Sequence, residues 1–257
     1  MAMTAQQLAD LMPDATQLES NEPEMESSLH YAQLALLVAC LDWLWRDRDD
    51  YFIGANLTIY FSREQLKNRD FRGPDFFLVN QTQKRPRRSW VVWEEGGQYP
   101  DLIIELLSVS TARTDRTLKK LLYQDRFRTP EYFLFSPDTQ EFAGYHLVNQ
   151  QYQPIPPNGS GHLWSQVLGL SLGVQAGQLR YFTELGHLIP TPEEAARQAQ
   201  QQAQQAQQSA LEAQMEAQQS ALEAQQEIQQ AQQEAQQERD RAARLAEQLR
   251  QLGIDPD

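Results

Sequence analysis

One cysteine, Cys40, is the whole thiol content of the chain, so no internal disulfide can form. Its surroundings, LALLVACLDWLW, read as those of an inert core thiol. No stretch approaches the roughly 18 to 20 consecutive apolar residues that cross a bilayer. The first residues include Asp10 and Asp14 but no lysine or arginine, which excludes the basic region of a signal peptide. These absences predict a cytoplasmic protein with no membrane partner. Histidine is also scarce, and His30, His146, His162 and His187 are scattered without metal-ligand spacing. Only His30, at the start of an apolar helical stretch, could face a cleft.

Basic residues are missing from the N-terminal end. Residues 1–27 hold six acids and no base, and residues 193–257 hold twelve acids against five bases, so the ends account for the whole formal charge of −13. The middle, 28–192, has seventeen of each sign. Its neutrality leaves it free to bind an anion despite the low overall pI.

Three segments follow from composition and periodicity. Residues 1–27 are polar and acidic, which predicts a disordered segment. Residues 28–190 predict an α/β domain. Leu34, Leu37, Val38, Leu41, Leu44 and Trp45 recur at helical spacing. Strand signals follow at 51–61, 75–79, 89–93 and 102–107, then a helix in TDRTLKKLLYQDRF, then closing strands in EYFLF, EFAGYHLV and QYQPI. In residues 191–257, Thr191-Pro192-Glu193-Glu194 combines an N-cap threonine, a proline at the first helical position and a capping-box glutamate. AQQSALEAQME repeats as AQQSALEAQQE, a period of eleven that favours a nearly straight or slightly right-handed coil, and Gly253 and Pro256 are stop signals. This predicts a Gln/Ala-rich helix about 90 Å long at 1.5 Å per residue. Its apolar line is thin, which leaves two readings: a self-associating coiled coil that makes the protein a homo-oligomer, or a fluctuating low-complexity tail.

The stretch YPDLIIELLS places Glu105 within an apolar run that reads as a central strand. A buried carboxylate there needs a cation, either a lysine that ties strand to helix or a divalent metal. Asp101, on the same strand face, would lie roughly 13 Å away and reads as the first residue of the strand. Asp75 opens another apolar strand, and neighbouring strands are about 4.8 Å apart, so Asp75 and Glu105 can converge on one Mg²⁺, which keeps several of its waters. In the following helix Asp115, Lys119 and Tyr123 fall at four-residue intervals on one face, beside an apolar line of Leu118 and Leu122, while Lys120 falls with Arg116 and Gln124 on a polar face. Lys119 is therefore the cation expected in the site and Lys120 the one expected in solvent. A metal-activated water beside a positioned lysine is apparatus for phosphodiester hydrolysis. The loop QTQKRPRRSW adds Lys84, Arg85, Arg87 and Arg88, read either as a solvated hairpin tip or as a phosphate-contacting patch.

In the order and spacing of PDFFLV, PDLIIELLS, DRTLKKLLYQ and TPEYFLF, residues 28–190 resemble the Uma-type restriction-endonuclease family, rich in cyanobacterial members, of the PD-(D/E)XK nuclease superfamily. The resemblance implies a restriction-endonuclease-like mixed sheet flanked by helices, a Mg²⁺ cofactor for which Mn²⁺ can substitute, and DNA as partner. It matches Asp75 and Glu105 to the metal-binding acids and Lys119 to the catalytic lysine, with Asp115 and Tyr123 in support. Two residues after Glu105, where most of the superfamily carries lysine, this chain has Leu107. The alternative function is a non-catalytic module of the same fold that assembles through its C-terminal helix.

Overall fold

The computed structural model describes residues 18–20, 22, 25, 27–62 and 73–251. Helix α1 (Ser28–Leu44) starts where the Ser27 side chain accepts from the His30 amide, and it buries Leu34, Leu37, Cys40 and Leu41. The free thiol of Cys40 is buried. A six-stranded sheet forms the centre, in the order β1-β3-β5-β6-β7-β8. Its strands are β1 (Tyr51–Ala55), β3 (Phe76–Asn80), β5 (Leu102–Leu106), β6 (Glu131–Phe135), β7 (Phe142–Val148) and β8 (Gln151–Pro154). Only β5 and β6 run parallel; every other pairing is antiparallel. A parallel pair needs a crossover. The helical segment α2 supplies it, α-helical at Ala112–Thr114 and wound more widely at Asp115–Lys119 and Leu122–Phe127.

Strand alternation sorts the core into two faces. Leu102, Ile104 and Leu106 of β5 pack in one cluster with Leu34, Leu37 and Leu41 of α1. Ile103 and Leu107 pack in the other with Tyr123 and Phe127 of α2. Glu105 has the parity of Ile103 and therefore faces α2.

Several expectations need correction. The run 51–61 is broken by Asn56 at φ 46° into β1 and the two-residue β2 (Ile59–Tyr60). The run 89–93 yields only β4 (Trp90–Val91), paired parallel with β2. Strands β9 (Leu163–Ser165), β10 (Leu170–Gln175) and β11 (Gln178–Phe182) form a three-stranded sheet that the sequence reading did not resolve. Within the acidic segment expected to be disordered, residues 18–20, 22 and 25 are docked: Ser89 donates to the Leu18 carbonyl, Thr58 to Glu22, and Met25 packs on the core. Residues 1–17 lie outside the described residues.

The sixty-residue helix α3 (Pro192–Gln251) begins with the reciprocal capping box: Thr191 N donates to Glu194 at 2.8 Å and Glu194 N to Thr191 Oγ1 at 3.1 Å. The stop signals Gly253 and Pro256 fall outside the described residues. The chain divides into two units, Met1–Glu194 and Ala195–Asp257. Among the described residues no helix is long and apolar enough to cross a membrane.

The small sheet is fastened to the large one through Glu131. This buried carboxylate at the start of β6 accepts from the Ser165 hydroxyl, from Gln166 N at 2.7 Å and from Val167 N at 3.4 Å. Removing it strands those donors, so Glu131→Ala should cost about 2–3 kcal/mol. Glu131→Gln, which retains an acceptor oxygen, should cost less. Urea denaturation of the two variants checks both the size and the order.

Candidate active site

Strands β3 and β5 pair with Phe76 opposite Ile104, so Asp75 and Glu105 stand side by side at one end of the sheet. Backbone contacts fix them. Leu106 N donates to Asp75 Oδ2 at 2.7 Å, and Asp75 N approaches Glu105 Oε2 at 3.4 Å. Glu105 is fully buried, and its side-chain partners come from α2. Lys119 Nζ lies 3.0 Å from each of its carboxylate oxygens, and the Tyr123 hydroxyl donates to Oε1 at 2.8 Å. Lys119 is also 3.1 Å from Asp115 Oδ1 and 3.4 Å from the Gly73 carbonyl.

The sequence assigned Asp115, Lys119 and Tyr123 to one face, and the structure brings them together by a winding that it did not foresee. Four residues overshoot an α-helical turn of 3.6, so a set repeated every four drifts round an α-helix. In the two π-wound stretches the i→i+5 turn undershoots instead. The face continues to Phe127, which is buried like Tyr123. Of the expected apolar line, Leu118 is exposed, whereas Leu122 is partly buried and packs on the α2-facing core; the neighbouring Leu121 is exposed. The buried face of α2 sets Asp115 and Lys119 beside Tyr123 and Phe127. Lys120, expected in solvent, lies over the Tyr145 ring at 3.3 Å, away from the carboxylates.

The electrostatics follow from three acids around one ammonium. Burial pushes the Glu105 carboxyl well above its usual range, and Asp75 rises for the same reason, although Lys119 pulls both down. Glu105, Asp115 and Asp75 together outweigh the desolvation of Lys119 and hold its pKa above that of a free lysine. Lys119 is therefore firmly cationic. The Tyr123 phenol is pushed up by burial and by the neighbouring Glu105, so it remains a donor.

The donor set consists of oxygens only, which suits a hard divalent cation. Among the described residues no three His, Cys, Asp or Glu side chains form a ready-made cage. Two adjacent carboxylates nevertheless fit Mg²⁺, which is commonly bound by one or two and completes its shell with water. Asp115 Oδ1, buried and 3.1 Å from the Lys119 ammonium, adds negative charge behind it.

One further contributor escaped sequence reasoning. Gly73 lends its carbonyl to Lys119, and a Cβ there would lie 2.3 Å from the Leu57 carbonyl oxygen. The Gly-Pro pair before Asp75 was the available signal. His30, suspected of facing a cleft, is instead buried, with Nδ1 2.8 Å from Ser27 Oγ and Nε2 3.3 Å from the Leu107 carbonyl. A carbonyl only accepts, so Nε2 carries the proton.

The basic loop does not reach the site. It follows Asn80, at the opposite end of β3 from Asp75, roughly 17 Å away along the strand. Arg87 is buried against Phe52 and Trp90 and paired with Glu95 at 2.7 Å, which rules it out as a surface phosphate contact. Arg85 shares Glu95, Lys84 pairs with Asp42 and Arg88 with Glu19. The loop is held by its own acids.

Comparisons with known proteins bear on these residues. No curated protein matches the chain. A solved structure from Anabaena variabilis ATCC 29413, described as a putative nuclease belonging to DUF820, is 18% identical over 62% of this chain and 90% of that one, with a TM-score of 0.38. The model of the family described as "Uma2: Putative restriction endonuclease" matches residues 17–180, a span that contains Asp75, Glu105, Lys119 and Tyr123 and excludes α3. With more than half of its length matched, the chain belongs to the Uma2 restriction-endonuclease family.

Proposed function

We propose that this member of a nuclease family is a Mg²⁺-dependent endonuclease that hydrolyses phosphodiester bonds of DNA in the cytoplasm. The observation that carries the reading is the meeting of Asp75, Glu105 and Lys119 at one end of the central sheet. Asp75 and Glu105 would hold the ion, with Mn²⁺ as a substitute. Bound there, such an ion lowers the pKa of a coordinated water and offsets charge growing on the phosphate.

The chain's own residues divide the remaining work. Lys119, held cationic by three acids, serves as a hydrogen-bond donor and positive charge toward water and phosphate rather than as a base. Asp115 keeps its ammonium in place from behind. The Tyr123 hydroxyl fixes the orientation of the Glu105 carboxylate. Leu107 cannot take the lysine role common in the superfamily, since its side chain is buried in the α2-facing core. The cation has to come from the helix.

One observation favours the rival, non-catalytic reading. Lys119 and Tyr123 already satisfy Glu105 without a metal, as a structural ion pair would.

Cleavage separates the two. Glu105→Gln removes charge at constant size and should lower Mg²⁺-dependent nicking of DNA by about 100-fold or more. If the unaltered protein cuts no DNA with Mg²⁺ or Mn²⁺ and calorimetry shows that it binds neither ion, the enzyme reading fails.

The two lysines give a second test. Lys119→Ala should abolish nicking, again by about 100-fold or more, while Lys120→Ala should leave the rate nearly unchanged. Equal losses would mean that the ammonium at Glu105 is not the one that matters.

A third test needs no substrate. Because burial raises the Asp75 and Glu105 carboxyls, the folded metal-free protein keeps their protons to higher pH than the unfolded chain. The stability this contributes is complete below the ordinary carboxyl range and is lost as pH rises through the raised folded values. Thermal midpoints in chelator should therefore fall as pH rises above the ordinary carboxyl range, and fall less in Glu105→Gln. A variant as pH-sensitive as the parent would contradict the burial of a titrating Glu105.

A further inference from the structure

Helix α3 presents its larger apolar side chains to solvent: Leu211, Met215, Leu222, Ile228 and Leu245 are each more than half exposed. An amphipathic surface of this kind is stabilised mainly by packing against another element. The charge order along the helix indicates what covers it. From Glu212 to Glu238 there are six glutamates and no cation, whereas Arg239, Arg241, Arg244 and Arg250 follow within twelve residues that hold only two acids, Asp240 and Glu247.

We propose that α3 pairs with α3 of a second copy of this chain, antiparallel, with the crossing point near Gln230. In a parallel pair in register every glutamate would face its own copy and every arginine likewise. Like charges repel along helix pairs, and flanking charges set their orientation. Reversing one copy about residue 230 moves the arginines off one another and onto the acidic stretch, while Glu223 with Glu238 and Glu227 with Glu234 still lie close across the pair. Arg244 then stands opposite Glu216, Leu245 opposite Met215, and Arg250 within two residues of Glu212. The local order supports the reversal. Leu211, Met215 and Leu222 are each followed by a glutamate, whereas Leu245 is preceded by an arginine. In antiparallel helices, following on one meets preceding on the other. The pairing does not depend on the nuclease assignment.

Two cysteine variants of the full chain read the geometry, since Cys40 is buried and takes no label. Ala231→Cys places a dye near the crossing point. Gln200→Cys places one about 90 Å from its counterpart in the antiparallel pair, at 1.5 Å per residue. Mixing donor-labelled and acceptor-labelled protein should give energy transfer at 231 and none at 200. Transfer at both positions means a parallel pair and overturns the proposal, as does transfer at neither.

Light scattering of the unlabelled chain supplies the mass. Two chains per particle are expected at low salt, and the triple variant Arg239→Glu, Arg241→Glu, Arg244→Glu should weaken association at least tenfold. A mass of one chain for the parent protein would leave this face to a different partner and end the self-pairing reading. A triple variant that pairs as tightly as the parent would show that the charges do not choose the partner.

Discussion

A carboxylate with no exposed surface in the middle of a sheet can be met only by its neighbours, and much of this domain is arranged around meeting Glu105. Sheet partners on both sides use their backbone groups for the ladder, and the opposite face belongs to α1. Cation and donor must then arrive from α2. That requirement fixes which helical face turns inward, and it explains why Asp115 and Tyr123 are buried while Leu118 and Leu121 are exposed. A lysine and a tyrosine four residues apart share a helical face, so one segment delivers both to the same carboxylate.

The two faces of the sheet divide the physical work. Toward α1 and the three-stranded sheet the contacts are almost wholly apolar, with Leu37, Leu41, Ile104 and Leu172 fully buried. Dispersion and desolvation dominate there, and precise polar geometry matters only at joints such as Glu131. Toward α2 apolar packing by Ile103, Tyr132 and Phe127 surrounds a small charged island. Low polarisability around that island strengthens each interaction in it and raises the cost of leaving any member unpaired. Stability rests largely on one face and charge on the other, so the charged face can tolerate three acids around one lysine.

How much of this was legible follows from which signals are local. Glu105 was readable because a charge in an apolar strand is anomalous within ten residues. Lys119 was separable from Lys120 because four-residue spacing survives both kinds of helical turn. The capping box at Thr191 and Glu194 is likewise local and was found in the bonds expected of it. What was not legible was set by distant partners. Arg85, Arg87 and Arg88 look like a free basic patch until Glu95 and Glu19 fold against them. Leu118 looks like core until the facing carboxylate takes the inward side of its helix. Residues 163–182 give three strands of three to six residues whose pairing is decided by Glu131 and by Gln33 of α1, both far off in the chain.

The winding of α2 has one more consequence. Each widened turn accommodates residues that a regular helix of the same rise would have to expel, so the segment carries its adjustment internally. Removing one residue between Lys119 and Tyr123 would rotate everything beyond it by about 100° about the helix axis, carrying the Tyr123 hydroxyl off Glu105 while both remained in a well-formed helix. Chain length between Asp115 and Phe127 is thus under tighter constraint than the identity of its outward side chains. Relatives of this protein should vary freely at the outward positions and hardly at all in the number of residues between the lysine and the tyrosine.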